Sequence, residues 1–175
     1  ISEKQLSKRL IIRNSNLINE IALNNKGVIL VGGHINNWEI CAQGVSLYSN
    51  HKCVAIYKPL NNKFFNSKII NSRSKFGLLL TPMKKARELF ENSISDKAII
   101  FGSDQSPSNP NNAYWMKFLN QDTGVLFGAE KYAKEHDLPV VYVRIFKMKR
   151  GFYEVEYELV SSNSSKFKHG EITEK

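Results

Sequence analysis

The chain has 175 residues and 42% hydrophobic content, enough for one domain with a sizeable core. Its formal charge of +9 is lopsided: 14 Lys and Arg stand against 4 Asp and Glu in residues 1–90, 11 against 12 in residues 91–175, and no residue from Ile40 to Arg87 is acidic. No stretch approaches the ~20 apolar residues of a membrane span, none has a signal-peptide pattern, and Cys41 and Cys53 are too few for a disulfide framework and too far apart for a C-x-x-C zinc site. The two cysteines read as reduced, buried thiols of a cytoplasmic compartment. The charge predicts a basic face that attracts phosphates, anionic headgroups, nucleic acid or an acidic protein, with a merely solvated surface as the plainer reading.

A capping box, Ser2-Glu3-Lys4-Gln5, opens a helix in which Leu6, Leu10, Leu17, Ile18 and Ile21 recur at helical spacing until Asn24-Asn25-Lys26-Gly27 stops it. Residues 27–31 form an apolar strand that ends in Gly32-Gly33-His34. Residues 38–49 suit a helix, 52–57 a strand and 61–75 a helix closed by Gly77. A short strand over 78–80 leads to a helix from Pro82 to about residue 92, and 98–101 is a fourth buried strand. A polar, proline-interrupted loop runs from Gly102 to Asn112. Residues 114–119 are aromatic and apolar, Thr123-Gly124 opens a helix reaching His136, and 139–146 is a strand. In 152–160, Phe152, Val155, Tyr157 and Leu159 alternate with Glu154, Glu156 and Glu158, which predicts an edge strand paired as a hairpin across Lys149-Arg150-Gly151.

This alternation predicts one α/β domain over residues 1–160, with a mainly parallel central sheet flanked by helices and an antiparallel C-terminal edge hairpin. Residues 161–175 read as a polar linker and the start of a further helix. With Ile rather than Met at the N-terminus, the chain is expected to be a fragment of something longer. Ligands of such sheets bind outside the carboxyl ends of the strands. His34 and Asp104 both fall on that edge by position alone.

Five residues on a continuous helix turn through about 500°, so His34 and Glu39 can meet only if His34 sits in the turn and Asn36 or Asn37 caps the helix. Imidazoles titrate near neutrality, and one held by a carboxylate is suited to take a proton from a hydroxyl. The plainer alternative makes His34 a packing residue and Glu39 a solvated first-turn charge. No G-x-S-x-G elbow, phosphate-binding glycine loop or H-E-x-x-H pair occurs. Cys41 is a candidate thiol nucleophile, but a buried structural cysteine is the commoner case.

The glycine corner with H-x4-E, Asn71-Ser72-Arg73-Ser74-Lys75-Phe76-Gly77, Ser103-Asp104-Gln105 and Tyr114-Trp115-Met116-Lys117-Phe118-Leu119 together resemble the late acyltransferases of lipid A biosynthesis (the lauroyl/myristoyl acyltransferase family) over roughly residues 1–160. The wording from Asp104-Gln105 through Asn120-Gln121-Asp122-Thr123 resembles a Bacteroidetes-like subgroup. The resemblance implies a glycerolphosphate-acyltransferase-like fold and transfer of a fatty acyl chain from acyl carrier protein to a hydroxyl of a lipid A precursor. It implies His34 as general base and Glu39 as its orienter. Arg73 and Lys75 would hold phosphate or developing negative charge, and Asp104 and Gln105 would position substrate or order their loop.

No metal and no cofactor beyond the carrier thioester is implied. The expected partners are acyl carrier protein, the lipid A precursor and an anionic membrane surface, with no nucleic acid. The expected location is the cytoplasmic face of the bacterial inner membrane, anchored through segments outside this chain. Two other readings stay open: an acyltransferase acting on glycerol phosphate or an amino-lipid, and a catalytically silent domain that binds anionic lipid or nucleic acid through the same basic surface.

Overall fold

The computed structural model describes all 175 residues. Ser2 accepts a hydrogen bond from the Gln5 amide and donates its own amide to the Gln5 side chain, so the capping box forms as predicted at the head of α1 (Glu3–Ser7). The helix expected to continue to residue 24 does not. Leu10–Ile12 becomes a strand, β1, and α2 (Asn16–Leu23) follows. The cause is tertiary: Leu10 is fully buried, residues 10–12 pair in parallel with residues 153–155, and Arg13 forms an ion pair with Glu154.

The remaining elements are β2 (Val28–Gly32), α3 (Trp38–Gly44), β3 (Lys52–Tyr57), α4 (Lys63–Arg73), β4 (Leu79–Pro82), α5 (Ala86–Glu91), β5 (Lys97–Gly102), β6 (Ala113–Phe118), β7 (Gln121–Leu126), α6 (Gly128–Glu135), β8 (Val140–Lys149) and β9 (Phe152–Ser161). Seven strands make one sheet in the order β1-β9-β8-β2-β5-β3-β4. Every neighbouring pair is parallel except β8 and β9, which form the predicted antiparallel hairpin. The edge itself belongs to β1, which covers the outer side of β9.

Strand β2 explains the two-layered core. Val28 and Leu30 point into a cluster with Leu6, Leu10 and Ile18, whereas Ile29 points to the opposite face, into a cluster with Phe90, Ile99, Ala133 and Val140. Full burial of such side chains stabilises by roughly 1.5–3 kcal/mol each. With three consecutive residues at most 1% exposed, β2 holds both layers together.

Residues 121–126 depart from the expected helix. Leu119 and Asn120 take positive φ, 48° and 64°, and this two-residue turn folds β7 back along β6 as a separate antiparallel ribbon. The helix begins only at Gly128. Residues 161–175, expected as a linker and helix start, pack instead onto α6: Ser164 is buried and donates to the Leu138 carbonyl, and Ile172 joins the second core. The Glu130 carboxylate, 1% exposed, accepts from the amides of Gly170 and Thr173 and from the Thr173 hydroxyl.

Candidate active site

Strands β2 and β5 run in register, Gly32 beside Gly102, so the loops leaving them are neighbours. His34 lies two residues beyond one strand and Asp104 two beyond the other. The His34 amide donates to Asp104 Oδ2 at 2.8 Å, and His34 Nδ1 lies 2.7 Å from Asp104 Oδ1. Burial pushes the Asp104 carboxyl up, but hydrogen bonds from the His34 amide and imidazole and from its own amide outweigh this and hold it below the usual carboxylate range. An ionised carboxylate only accepts, so Nδ1 carries the proton and Nε2 presents its lone pair. The side chains are each 38% exposed, leaving the base open to a substrate.

Two glycines make room for this pair. A Cβ on Gly102 would stand 3.0 Å from His34 Cε1, and one on Gly33 would stand 3.3 Å from the Asp104 carboxyl. After His34 the chain turns through Asn36, at φ 54°, whose side chain donates to the Ile145 carbonyl. Asn37 then caps α3 by accepting from the Ile40 amide, as the sequence predicts.

The pairing of His34 with Glu39 is not what forms. Glu39, in the first turn of α3, is held by Arg73 at the end of α4 through two contacts, Nη2 to Oε1 at 2.5 Å and Nε to Oε2 at 3.0 Å. Between the two pairs stands Trp38. His34 meets its ring edge-on with centroids 4.6 Å apart, and the Arg73 guanidinium lies 4.7 Å from it on a cation–π contact. Asp104, His34, Trp38, Arg73 and Glu39 therefore form one connected chain of contacts.

Behind it opens a cavity of about 330 Å³, within the range of small-molecule sites. Twenty of its 27 lining residues are hydrophobic, and it runs beneath α3 past Ala42, Val45, Ala55 and Leu80 to Val155 and Tyr157. Its polar lining is His34, Lys58, Arg73 and Gln105. Such a space accepts a long apolar chain with its reactive end at the imidazole. Cys41 also lines it, but burial pushes its thiol up to about 12, which leaves it a protonated and poor nucleophile.

The family model for bacterial lipid A biosynthesis acyltransferases matches residues 1–172. The chain belongs to this family. It is an acyltransferase acting on a lipid A-like substrate, and no individually curated protein matches it significantly.

In this lipid A biosynthesis acyltransferase, the structure brings together five of the six residues singled out from sequence, namely His34, Glu39, Arg73, Asp104 and Gln105. Lys75 stays apart: its ammonium donates to the Ile1 carbonyl at 2.7 Å and does not line the cavity. Sequence reasoning gave Asp104 a role in positioning substrate or ordering its loop rather than contact with the His34 imidazole, and it passed over Trp38, Gly102 and Lys58 as site residues. Gly102 was marked by its position at the end of a buried strand.

Proposed function

We propose that the acyl donor is an acyl carrier protein thioester and that His34 is the general base. Nε2 removes the proton from a hydroxyl of the lipid A precursor, the 3-hydroxyl of an acyl chain already on the sugar. The oxygen attacks the thioester carbonyl, the carbon–sulfur bond breaks, and the imidazolium returns its proton to the departing thiolate. Asp104 fixes the tautomer of His34 and stabilises the imidazolium. The donor's acyl chain lies in the apolar cavity. Arg73, aligned by Glu39 and stacked on Trp38, keeps Nη1 available for a phosphate or for negative charge on the carbonyl oxygen. The basic N-terminal half favours both an acidic carrier protein and an anionic acceptor, at the cytoplasmic face of the inner membrane.

The observation that carries this reading is the His34–Asp104 pair at the mouth of an apolar cavity. The test is transfer from acyl carrier protein to a lipid A precursor, followed by mass spectrometry beside His34→Ala. Added acyl mass that vanishes in the variant supports the mechanism. Near-normal transfer by a folded His34→Ala protein sinks it, and transfer only to another polar lipid revises the acceptor.

A further inference from the structure

Fifteen large hydrophobic side chains are exposed, and ten of them leave the sheet at one edge, the carboxyl ends of β2, β3, β4, β5 and β8. One follows β2, three follow β3, one follows β4, three lie on the ribbon that follows β5, and two close β8. Phe64 and Phe65 in the first turn of α4, Met83, Met148, and Phe118 with Leu119 at the ribbon tip are each more than half exposed, Leu119 at 79%. This is also the edge at which the cavity opens beside His34.

The same segments carry Lys58, Lys63, Lys84, Lys85, Lys147 and Lys149, all exposed and none in an ion pair. Most carboxylates on this side are engaged, Glu39 by Arg73, Asp104 by His34, Asp122 by Lys117, Glu154 by Arg13 and Glu174 by the Tyr114 hydroxyl, while Glu88 in the first turn of α5 is exposed and in no ion pair. Against the six free lysines, the uncompensated charge around the cavity mouth stays net positive. Apolar side chains interspersed with lysines on several separate loops suit a surface that is apolar and anionic everywhere at once, as a headgroup layer is. A single acidic protein would engage the lysines and leave the scattered aromatics in water.

We propose that this edge is a docking face for an anionic bilayer. Phe118 and Leu119 enter the headgroup layer at the tip of the β6–β7 ribbon, Phe64, Phe65, Met83 and Met148 rest on it, and the lysines bind lipid phosphates. The cavity mouth then opens onto the lipid surface, so an acceptor lipid reaches His34 without leaving the membrane. No helix is long and apolar enough to cross a membrane, and this face needs none. The purpose given to the face rests on the function proposed above, whereas the binding itself does not.

The test is cosedimentation of the full chain with phosphatidylethanolamine–phosphatidylglycerol vesicles, with phosphatidylcholine vesicles as the neutral control. The protein is expected in the pellet with the anionic vesicles alone, released by salt. Phe118→Ser/Leu119→Ser and Lys84→Gln/Lys85→Gln should each weaken partitioning at least about tenfold. Both variants should melt as the wild type does and turn over detergent-dispersed acceptor at the wild-type rate. In a Trp38→Phe background Trp115 is the single tryptophan, and its emission should shift to the blue on adding anionic vesicles.

Wild-type protein left in the supernatant, equal binding to neutral vesicles, or undiminished binding by the ribbon variant would each overturn the proposal. Binding to an acidic carrier protein that fails in these variants while vesicle binding survives would also overturn it. Wild-type protein that binds vesicles but transfers no acyl group in detergent would leave the docking face standing and count against the proposed reaction.

Discussion

Asp104 holds His34 at two points, taking the backbone amide on Oδ2 at 2.8 Å and the imidazole on Oδ1 at 2.7 Å. One carboxylate thus fixes both where the ring is attached and which of its nitrogens faces the substrate. Asp104→Asn preserves the shape, but its amide can donate to Nδ1 and turn the lone pair away from the acceptor hydroxyl. The turnover number is expected to fall by about 10²–10⁴-fold, with His34→Ala at least as impaired and both proteins folded. Steady-state kinetics alongside circular dichroism checks this, and an Asp104→Asn enzyme of near-normal turnover would remove the orienting role.

Arg73 uses two faces of one planar group, hydrogen bonding to Glu39 and stacking on Trp38. Lysine reproduces neither arrangement. Arg73→Lys is expected to raise KM for the phosphorylated acceptor about tenfold or more while the turnover number changes less. If Glu39 acts through Arg73, the double variant Arg73→Ala/Glu39→Gln will be no worse than Arg73→Ala alone. Full additivity in that cycle would give Glu39 a separate task.

Ala42 and Ala55 are small residues on the cavity wall, contributed by α3 and β3. Enlarging either to leucine fills space a chain would occupy. The expected outcome is a shift of donor preference toward shorter acyl chains by several-fold in kcat/KM, since each methylene lost from an apolar pocket is worth about 1–3 kcal/mol. Competition between donors of different length, read by mass spectrometry of the product, decides it. An unchanged chain-length profile would place the acyl chain elsewhere.

His51 is 4% exposed; its Nε2 donates to the Lys26 carbonyl at 2.9 Å and its Nδ1 has no partner. Burial holds its pKa below the ordinary value of 6.5 despite the Lys26 contact, so between those values the unfolded chain binds the proton and the folded one does not. Stability from this site is complete above about 6.5 and is eroded as the pH falls below it. The depressed Asp104 carboxyl adds a second, lower window: its contribution is complete above about 3.9 and is lost as the pH falls through the depressed value. Thermal melting from pH 7.5 to 5 should show a declining midpoint, and His51→Gln should flatten that decline. An equal slope in the variant would assign the upper window to other groups.

Much of the architecture was legible because β2, β5 and β8 read as apolar runs punctuated by glycine, proline or loop residues, the mark of strands buried on both faces. Two local patterns misled. Leu10 and Leu17 fit a helical spacing although Leu10 is claimed by the flank of β9, and Leu119-Asn120 carries no glycine to announce the turn that makes the ribbon. At the site, the position of Asp104 on the same edge as His34 could be read from strand order. Its contact with the imidazole could not, because it depends on register between strands 70 residues apart. Glu39 looked like the partner because it was near in sequence, and the residue that takes it, Arg73, comes from the end of another helix.

The strand order also sets a timetable. Strand β2 borders only β5 and β8, and β1 borders only β9, so the central strand and the first strand both leave the ribosome before any neighbour exists. At about 5–20 residues per second, β2 waits roughly 4–14 seconds for β5, and Asp104 reaches His34 no sooner. Strands β3 and β4 have each other by then, so the apolar segments left without a sheet partner through that interval are β1 and β2, and β1 waits longest, until β9 is made.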